Sequence, residues 1–278
     1  MTFEFREYRT EYIRFGHGPA TLLAFHGFGQ QPEVFYNLEA SLGKHFTVYS
    51  FALFHHGGST YPPGKSPDEP LDLETFRELL EAFCTANNIG EFSLMGYSLG
   101  GKVALQYMQL MPERVRSLIL LAPDGIKKSF WYHYATQNTR GKKLFRKMVQ
   151  RPDLFFRLIK YLRMMGIVSG KMEKFTISQF SDEVKRKKVF NVWNTYSLLL
   201  PKVSKTRETI RSYRIPTVIF TGTYDPVLNA MIGKILVTGM EEFVHWKPIT
   251  AGHDLVKETY NDTIYPVLRE FIYQPLNL

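Results

Sequence analysis

Three short stretches carry residue types that can perform nucleophilic chemistry together: Ser98 in Gly96-Tyr97-Ser98-Leu99-Gly100-Gly101, Asp225 in Gly222-Thr223-Tyr224-Asp225-Pro226-Val227, and His253 in Ala251-Gly252-His253-Asp254. A serine hydroxyl is a poor nucleophile until a base takes its proton. An imidazole is such a base near neutral pH, and a carboxylate can hold that imidazole in one tautomer. Small residues two places before and after Ser98 suit a sharp turn that lifts the hydroxyl clear of the backbone. A fourth stretch, His26-Gly27-Phe28-Gly29, is glycine-rich and lets its backbone come close to a reacting group. The N–H groups of Phe28 and Leu99 are candidates for an oxyanion hole. A serine capping a helix after a glycine turn would explain the first stretch alone, but not the other three.

The elements around these stretches give them a common position. Thr21–Phe25, Phe46–Phe51, Phe92–Met95, Ser117–Ala122, Thr217–Thr221 and Val244–Ile249 read as strands, most of them continuous apolar runs. Leu73–Asn87, Leu99–Met111, Met231–Val237 and Thr263–Ile272 have helical spacing. Strands alternating with helices predict a mostly parallel sheet covered on both faces. Each chemistry-bearing stretch follows directly on a predicted strand, and ligand sites in open α/β sheets lie at that edge. Along the chain the order is serine, aspartate, histidine. After Pro123 about ninety basic, aromatic, helix-like residues interrupt the alternation. The expected organisation is a core of residues 1–123 and 214–278 with a helical, basic cap inserted over 124–213. Tyr61–Pro67 reads as a proline-rich loop.

On these motifs the chain resembles the α/β-hydrolase superfamily from about Tyr12 to Ile272, most closely its small capped members: carboxylesterases, acyl-carrier-protein esterases and C–C bond hydrolases. The resemblance implies an α/β-hydrolase fold and a triad in which Ser98 attacks a carbonyl, His253 carries the proton and Asp225 orients His253. It implies cleavage of a carboxylic ester or thioester through an acyl-enzyme, with no cofactor. A C–C bond hydrolase or lyase using the same triad, and a non-catalytic receptor or scaffold of the same fold, are the alternatives. Serine at the elbow argues against haloalkane dehalogenases and epoxide hydrolases, which place an aspartate there. One departure is visible. Where family members carry Asp-x-Arg-Gly-x-Gly-x-Ser, this chain has Ala52-Leu53-Phe54-His55-His56-Gly57-Gly58-Ser59.

Several other residues compete for attention. Asp124, after a predicted strand, and Asp254, next to His253, are rival acids; Asp225 is preferred for its place in the fold. His26 is expected to brace its loop. His55 and His56 are adjacent, so they point in different directions; with no third ligand evident, loop packing is favoured over metal binding. Cys84 is the only cysteine and excludes an internal disulfide, which fits a reducing compartment.

The net charge of +9 is concentrated in the expected cap. Residues 124–213 hold 21 Lys and Arg against 6 Asp and Glu, while the rest of the chain is net −6. Three roles fit such a cap: docking an acidic carrier protein, resting on an anionic membrane surface, or holding an anionic substrate group. No nucleic-acid-binding motif accompanies the charge. The first residues lack the apolar run of a secretory signal, and no apolar stretch is long enough to span a membrane. The expectation is a cytoplasmic protein that could be peripheral at a membrane.

Overall fold

The computed structural model describes residues 1–278 apart from 67, 68, 128, 169 and 277. Continuous apolar runs become strands covered on both faces: β5 (Phe92–Tyr97) and β7 (Thr217–Gly222) are buried at every position. With β1 (Thr2–Phe5), β2 (Tyr8–Phe15), β3 (Ala20–Phe25), β4 (Phe46–Phe51), β6 (Val115–Leu121) and β8 (Val244–Ile249) they form one sheet in the order β1-β2-β4-β3-β5-β6-β7-β8. From β4 onward all neighbours are parallel, while β1–β2 and β2–β4 are antiparallel. The chain runs from β3 outward to β4, then returns to the other side of β3 as β5. Loops leaving β3 and β5 therefore diverge in opposite directions and open a crevice at their C-terminal ends.

Helices complete the order: α1 (Glu39–Leu42), α2 (Leu73–Ala86), α3 (Leu99–Leu110), α4 (Phe130–Gln137), α5 (Thr139–Gln150), α6 (Pro152–Met164), α7 (Gly170–Gln179), α8 (Glu183–Thr195), α9 (Val203–Tyr213), α10 (Ile232–Val237) and α11 (Asn261–Leu268). On α2 the buried Phe76, Leu79, Leu80 and Phe83 fall at helical spacing and form its inward face. One sheet face packs Leu22, Ala24, Met95, Ile119, Val218 and Phe220 with Ile264 and Leu268 of α11. The expected closing helix differs in its last turn. α11 stops at Leu268 and continues as a π turn over Arg269–Tyr273. Pro266 in α11 has no N–H to donate to the carbonyl four residues back, which removes one rung of the α ladder there.

The chain divides into two compact units. One comprises Met1–Pro62, Leu73–Lys127 and Leu199–Leu278, and the other Pro63–Asp72 with Lys128–Leu198. This departs from the expected 124–213 insertion in three places: residues 124–127 and 199–213 lie in the first unit, and Pro63–Asp72 lies in the second. Helix α9 belongs with the sheet unit, because the buried Gln109 of α3 donates to the Lys202 carbonyl (3.1 Å) and to Thr206 Oγ1 (2.7 Å). Residues near Leu71 join the second unit, where the fully buried Leu71 donates its N–H to the Thr195 carbonyl at 2.9 Å. Pro67 of the expected loop lies outside the described residues. Within the second unit, Phe145 of α5 packs on Phe190 and Trp193 of α8, and Phe155 of α6 stacks on Phe180 at 3.9 Å.

Candidate active site

Ser98 occupies the turn between β5 and α3 with φ 50° and ψ −117°, a conformation that costs a non-glycine residue energy. The surroundings enforce it. The Ser98 N–H donates to the Leu121 carbonyl at 3.0 Å, and its carbonyl accepts from the N–H groups of Gly101 (2.8 Å) and Asp124 (2.9 Å). A β-carbon on Gly96 would overlap the Gly100 carbonyl, and one on Gly100 would overlap the Phe25 carbonyl. Glycine at both positions is thus a packing requirement of the elbow. The result is a hydroxyl raised at the N-terminus of α3, where the helix dipole favours negative charge.

The other two side chains converge on that hydroxyl. His253 Nε2 lies 2.9 Å from Ser98 Oγ, and His253 Nδ1 lies 2.7 Å from Asp225 Oδ2. A carboxylate only accepts, so the imidazole carries its proton on Nδ1 and presents the Nε2 lone pair to the serine. The Asp225 side chain is 1% exposed, and its Oδ1 accepts from the N–H groups of Val227 (2.7 Å) and Leu228 (2.9 Å). Those two bonds fix the carboxylate before the imidazole meets it. The Tyr97 hydroxyl donates to the His253 carbonyl at 3.1 Å and holds the histidine loop from below. Burial, reinforced by Asp254 and Asp225, pushes the Tyr97 phenol well above its usual range, so it stays a donor.

The rival acids are elsewhere. Asp124 Oδ1 accepts from the Gly125 N–H at 2.7 Å, and Asp254 pairs with Lys257 at 3.3 Å. Leu99 is the first residue of α3, so its N–H has no acceptor within the helix. The Phe28 N–H makes no hydrogen bond among the described residues.

The glycine loop is held by a pair of buried histidines, His26 and His56. His26 Nδ1 donates to the Gly27 carbonyl (2.7 Å), and its Nε2 accepts from the Leu53 N–H at 3.1 Å. His56 Nδ1 donates to the Phe54 carbonyl (3.1 Å), and its Nε2 accepts from the Gly29 N–H at 2.9 Å. The loops after β3 and β4 therefore each lend the other an imidazole acceptor. Gln30 adds a third tie, its Oε1 accepting from the Gly27 N–H at 3.1 Å. His55 takes φ 68° where the family pattern has glycine. Among the described residues no three His, Cys, Asp or Glu side chains group as metal ligands would.

Two further titratable groups are buried in the same unit. Lys102 lies in the second turn of α3, and burial lowers its pKa to about 8 while Asp124 pulls the other way. Cys84 is buried in α2, and burial pushes its thiol up to about 11.

Known proteins match this chain over part of their length. An uncharacterized protein of Mycobacterium tuberculosis is 31% identical over 130 residues, 46% of this chain and 36% of its own. A 1-acylglycerol-3-phosphate O-acyltransferase of Arabidopsis thaliana is 31% identical over 119 residues, 41% of this chain and 28% of its own. A pimeloyl-[acyl-carrier protein] methyl ester esterase of Aeromonas salmonicida is 33% identical over 109 residues, 39% of each chain. The chain thus spans about a third of the length of the curated relatives it matches first, 36% in each case. Among solved structures, naproxen esterase of Bacillus subtilis superposes with a TM-score of 0.61 at 19% identity, over 98% of this chain and 90% of that one, a likeness of fold. The model of the alpha/beta hydrolase fold family matches residues 20–238, and the chain belongs to that family.

Proposed function

We propose that this protein hydrolyses a carboxylic ester or thioester through an acyl-enzyme on Ser98. The observation that carries the reading is the continuous chain from Asp225 Oδ2 through His253 to Ser98 Oγ, with links of 2.7 and 2.9 Å. As Ser98 Oγ attacks the carbonyl carbon, its proton passes to His253 Nε2. The imidazolium so formed is stabilised by Asp225. The carbonyl oxygen becomes an oxyanion and accepts from the Phe28 and Leu99 N–H groups. Collapse breaks the bond to the leaving alkoxide or thiolate, which takes the proton from His253. Water then enters, gives its proton to the same nitrogen and releases the acid, regenerating Ser98.

The Aeromonas relative, named as an ester hydrolase, supports this chemistry. The Arabidopsis relative favours a second outcome at the same intermediate, in which an alcohol replaces water and the acyl group is transferred. Assay with p-nitrophenyl butyrate tests the first step. Ser98→Ala is expected to lower kcat/KM at least about a thousandfold with the fold intact. Retained turnover would refute the reading. Adding glycerol to the wild-type reaction separates the two fates, since transfer yields a new ester and hydrolysis only the acid.

A further inference from the structure

The second unit carries a charge excess: its segments 63–72 and 128–198 together hold 17 Lys and Arg against 7 Asp and Glu, a net of +10. Residues 128–198 hold 16 Lys and Arg against 4 Asp and Glu, a net of +12. All four acids are already engaged with neighbours: Asp153 with Arg157, Glu173 with Arg163, Asp182 with Lys185 and Glu183 with Lys187. Helix α5 has no acidic residue along its length. Its exposed face runs Arg140, Lys143, Leu144, Lys147, at the spacing of neighbours on one side of a helix. None of those three cations forms an ion pair among the described residues.

The same unit exposes apolar side chains out of proportion to its size. Nine of the sixteen large hydrophobic residues exposed among the described ones fall between 128 and 198, a quarter of the chain. Scattered exposed apolar residues are ordinary, but a concentration is not. On α6, Arg157, Lys160, Tyr161 and Met164 share one exposed face, and Met165 and Ile167 continue it into the following turn. Met164 is 75% exposed and Phe130, at the start of α4 beside Trp131, is 71% exposed. Helix α5 packs against α4, α6 and α8, so the cation-bearing helix is a direct neighbour of the helices that carry these apolar side chains.

We infer that this helical unit docks on an anionic lipid surface, with the α5 and α6 cations at the headgroups and the Phe130, Trp131, Tyr161 and Met164 side chains in the acyl boundary. Long unbranched Met and aromatic side chains suit that boundary, and Lys and Arg beside them reach back to the phosphates. Juxtaposed cations bind anionic headgroups additively and lose their hold as salt rises. An acidic protein would answer the charge but would leave apolar tips at helix ends without a matching use.

Vesicle flotation of the full chain tests this. Vesicles of phosphatidylcholine with phosphatidylglycerol should carry the protein up, and vesicles of phosphatidylcholine alone should bind it at least about tenfold more weakly. The combined variant Arg140→Glu, Lys143→Glu, Lys147→Glu should lose about tenfold or more of the anionic binding. Met164→Ser with Met165→Ser should weaken the part that survives high salt. The positions are exposed, so each variant should keep the wild-type melting curve. If the charge reversal melts early, Arg140→Gln, Lys143→Gln, Lys147→Gln is read instead. Equal binding to both vesicles overturns the inference, as does absent binding to the anionic ones. Capture by soluble polyglutamate without vesicle flotation would assign the surface to an acidic protein and also overturn it.

Discussion

At the scale of single residues, the arrangement depends on two imidazole nitrogens with different duties. His253 Nδ1 is committed to Asp225, which leaves Nε2 facing Ser98 Oγ. Asp225→Asn would present an amide that can donate to Nδ1 and so favour the wrong tautomer. Expected is a fall in kcat of roughly a thousandfold to ten-thousandfold with KM little changed, read from steady-state kinetics on a p-nitrophenyl ester. His56 works one step removed, by accepting from the Gly29 N–H in the loop that carries Phe28. Replacing it with alanine leaves that N–H unanswered and loosens the proposed oxyanion loop. A drop of about tenfold to a hundredfold in kcat, partly restored by His56→Gln, would identify it as a positioning residue. An unchanged kcat with only a lower Tm would reduce it to packing. That Ser98, Asp225 and His253 would share one sheet edge was foreseeable in the sequence because each follows a predicted strand. Loop packing is the sequence expectation for His56, but not its partner, a backbone amide 27 residues away.

At the scale of elements, the β5–α3 turn is where local strain and tight packing meet. Ser98 sits at positive φ where α3 lies hard against the end of β3, and Gly100 is what permits that approach. Gly100→Ala should therefore cost more than an ordinary core change, about 3 kcal/mol or more by chemical denaturation. A loss under about 1 kcal/mol would mean that the helix can slide and that the elbow is less constrained than described. The parallel strands were readable as buried apolar runs, and the elbow as a strand, a serine turn and a helix. β1 was not. Its Thr2-Phe3-Glu4-Phe5 run is short, charged and half-exposed at the sheet edge, with the turn residue Arg6 at φ 53°, so no apolar signal announces it. Nor was the allegiance of α9, which is decided by Gln109 reaching Thr206 across 97 residues, a contact that periodicity does not register.

At the scale of the whole molecule, stability and reactivity both carry signatures of the buried site. Lys102 binds its proton more weakly folded, with a pKa of about 8, than unfolded at 10.5. Between those values the unfolded chain holds the extra proton, so stability rises with pH there. Tyrosine ionisation in the unfolded chain opposes this above about pH 10. Unfolding free energies from urea titrations should thus climb between about pH 8 and 10 by up to about 3 kcal/mol, a slope that Lys102→Met removes. A flat or falling profile would show that Lys102 keeps its charge in the fold. The charge asymmetry along the chain was plain in the sequence, and what it faces is a matter for the vesicle experiment. Everything else turns on whether Ser98 is activated. Intact-mass analysis after treatment with a fluorophosphonate measures that without knowledge of the substrate. The account predicts one adduct per chain, located on Ser98 and absent from both Ser98→Ala and His253→Ala. An unlabelled wild-type chain, or an adduct that persists in Ser98→Ala, would contradict it.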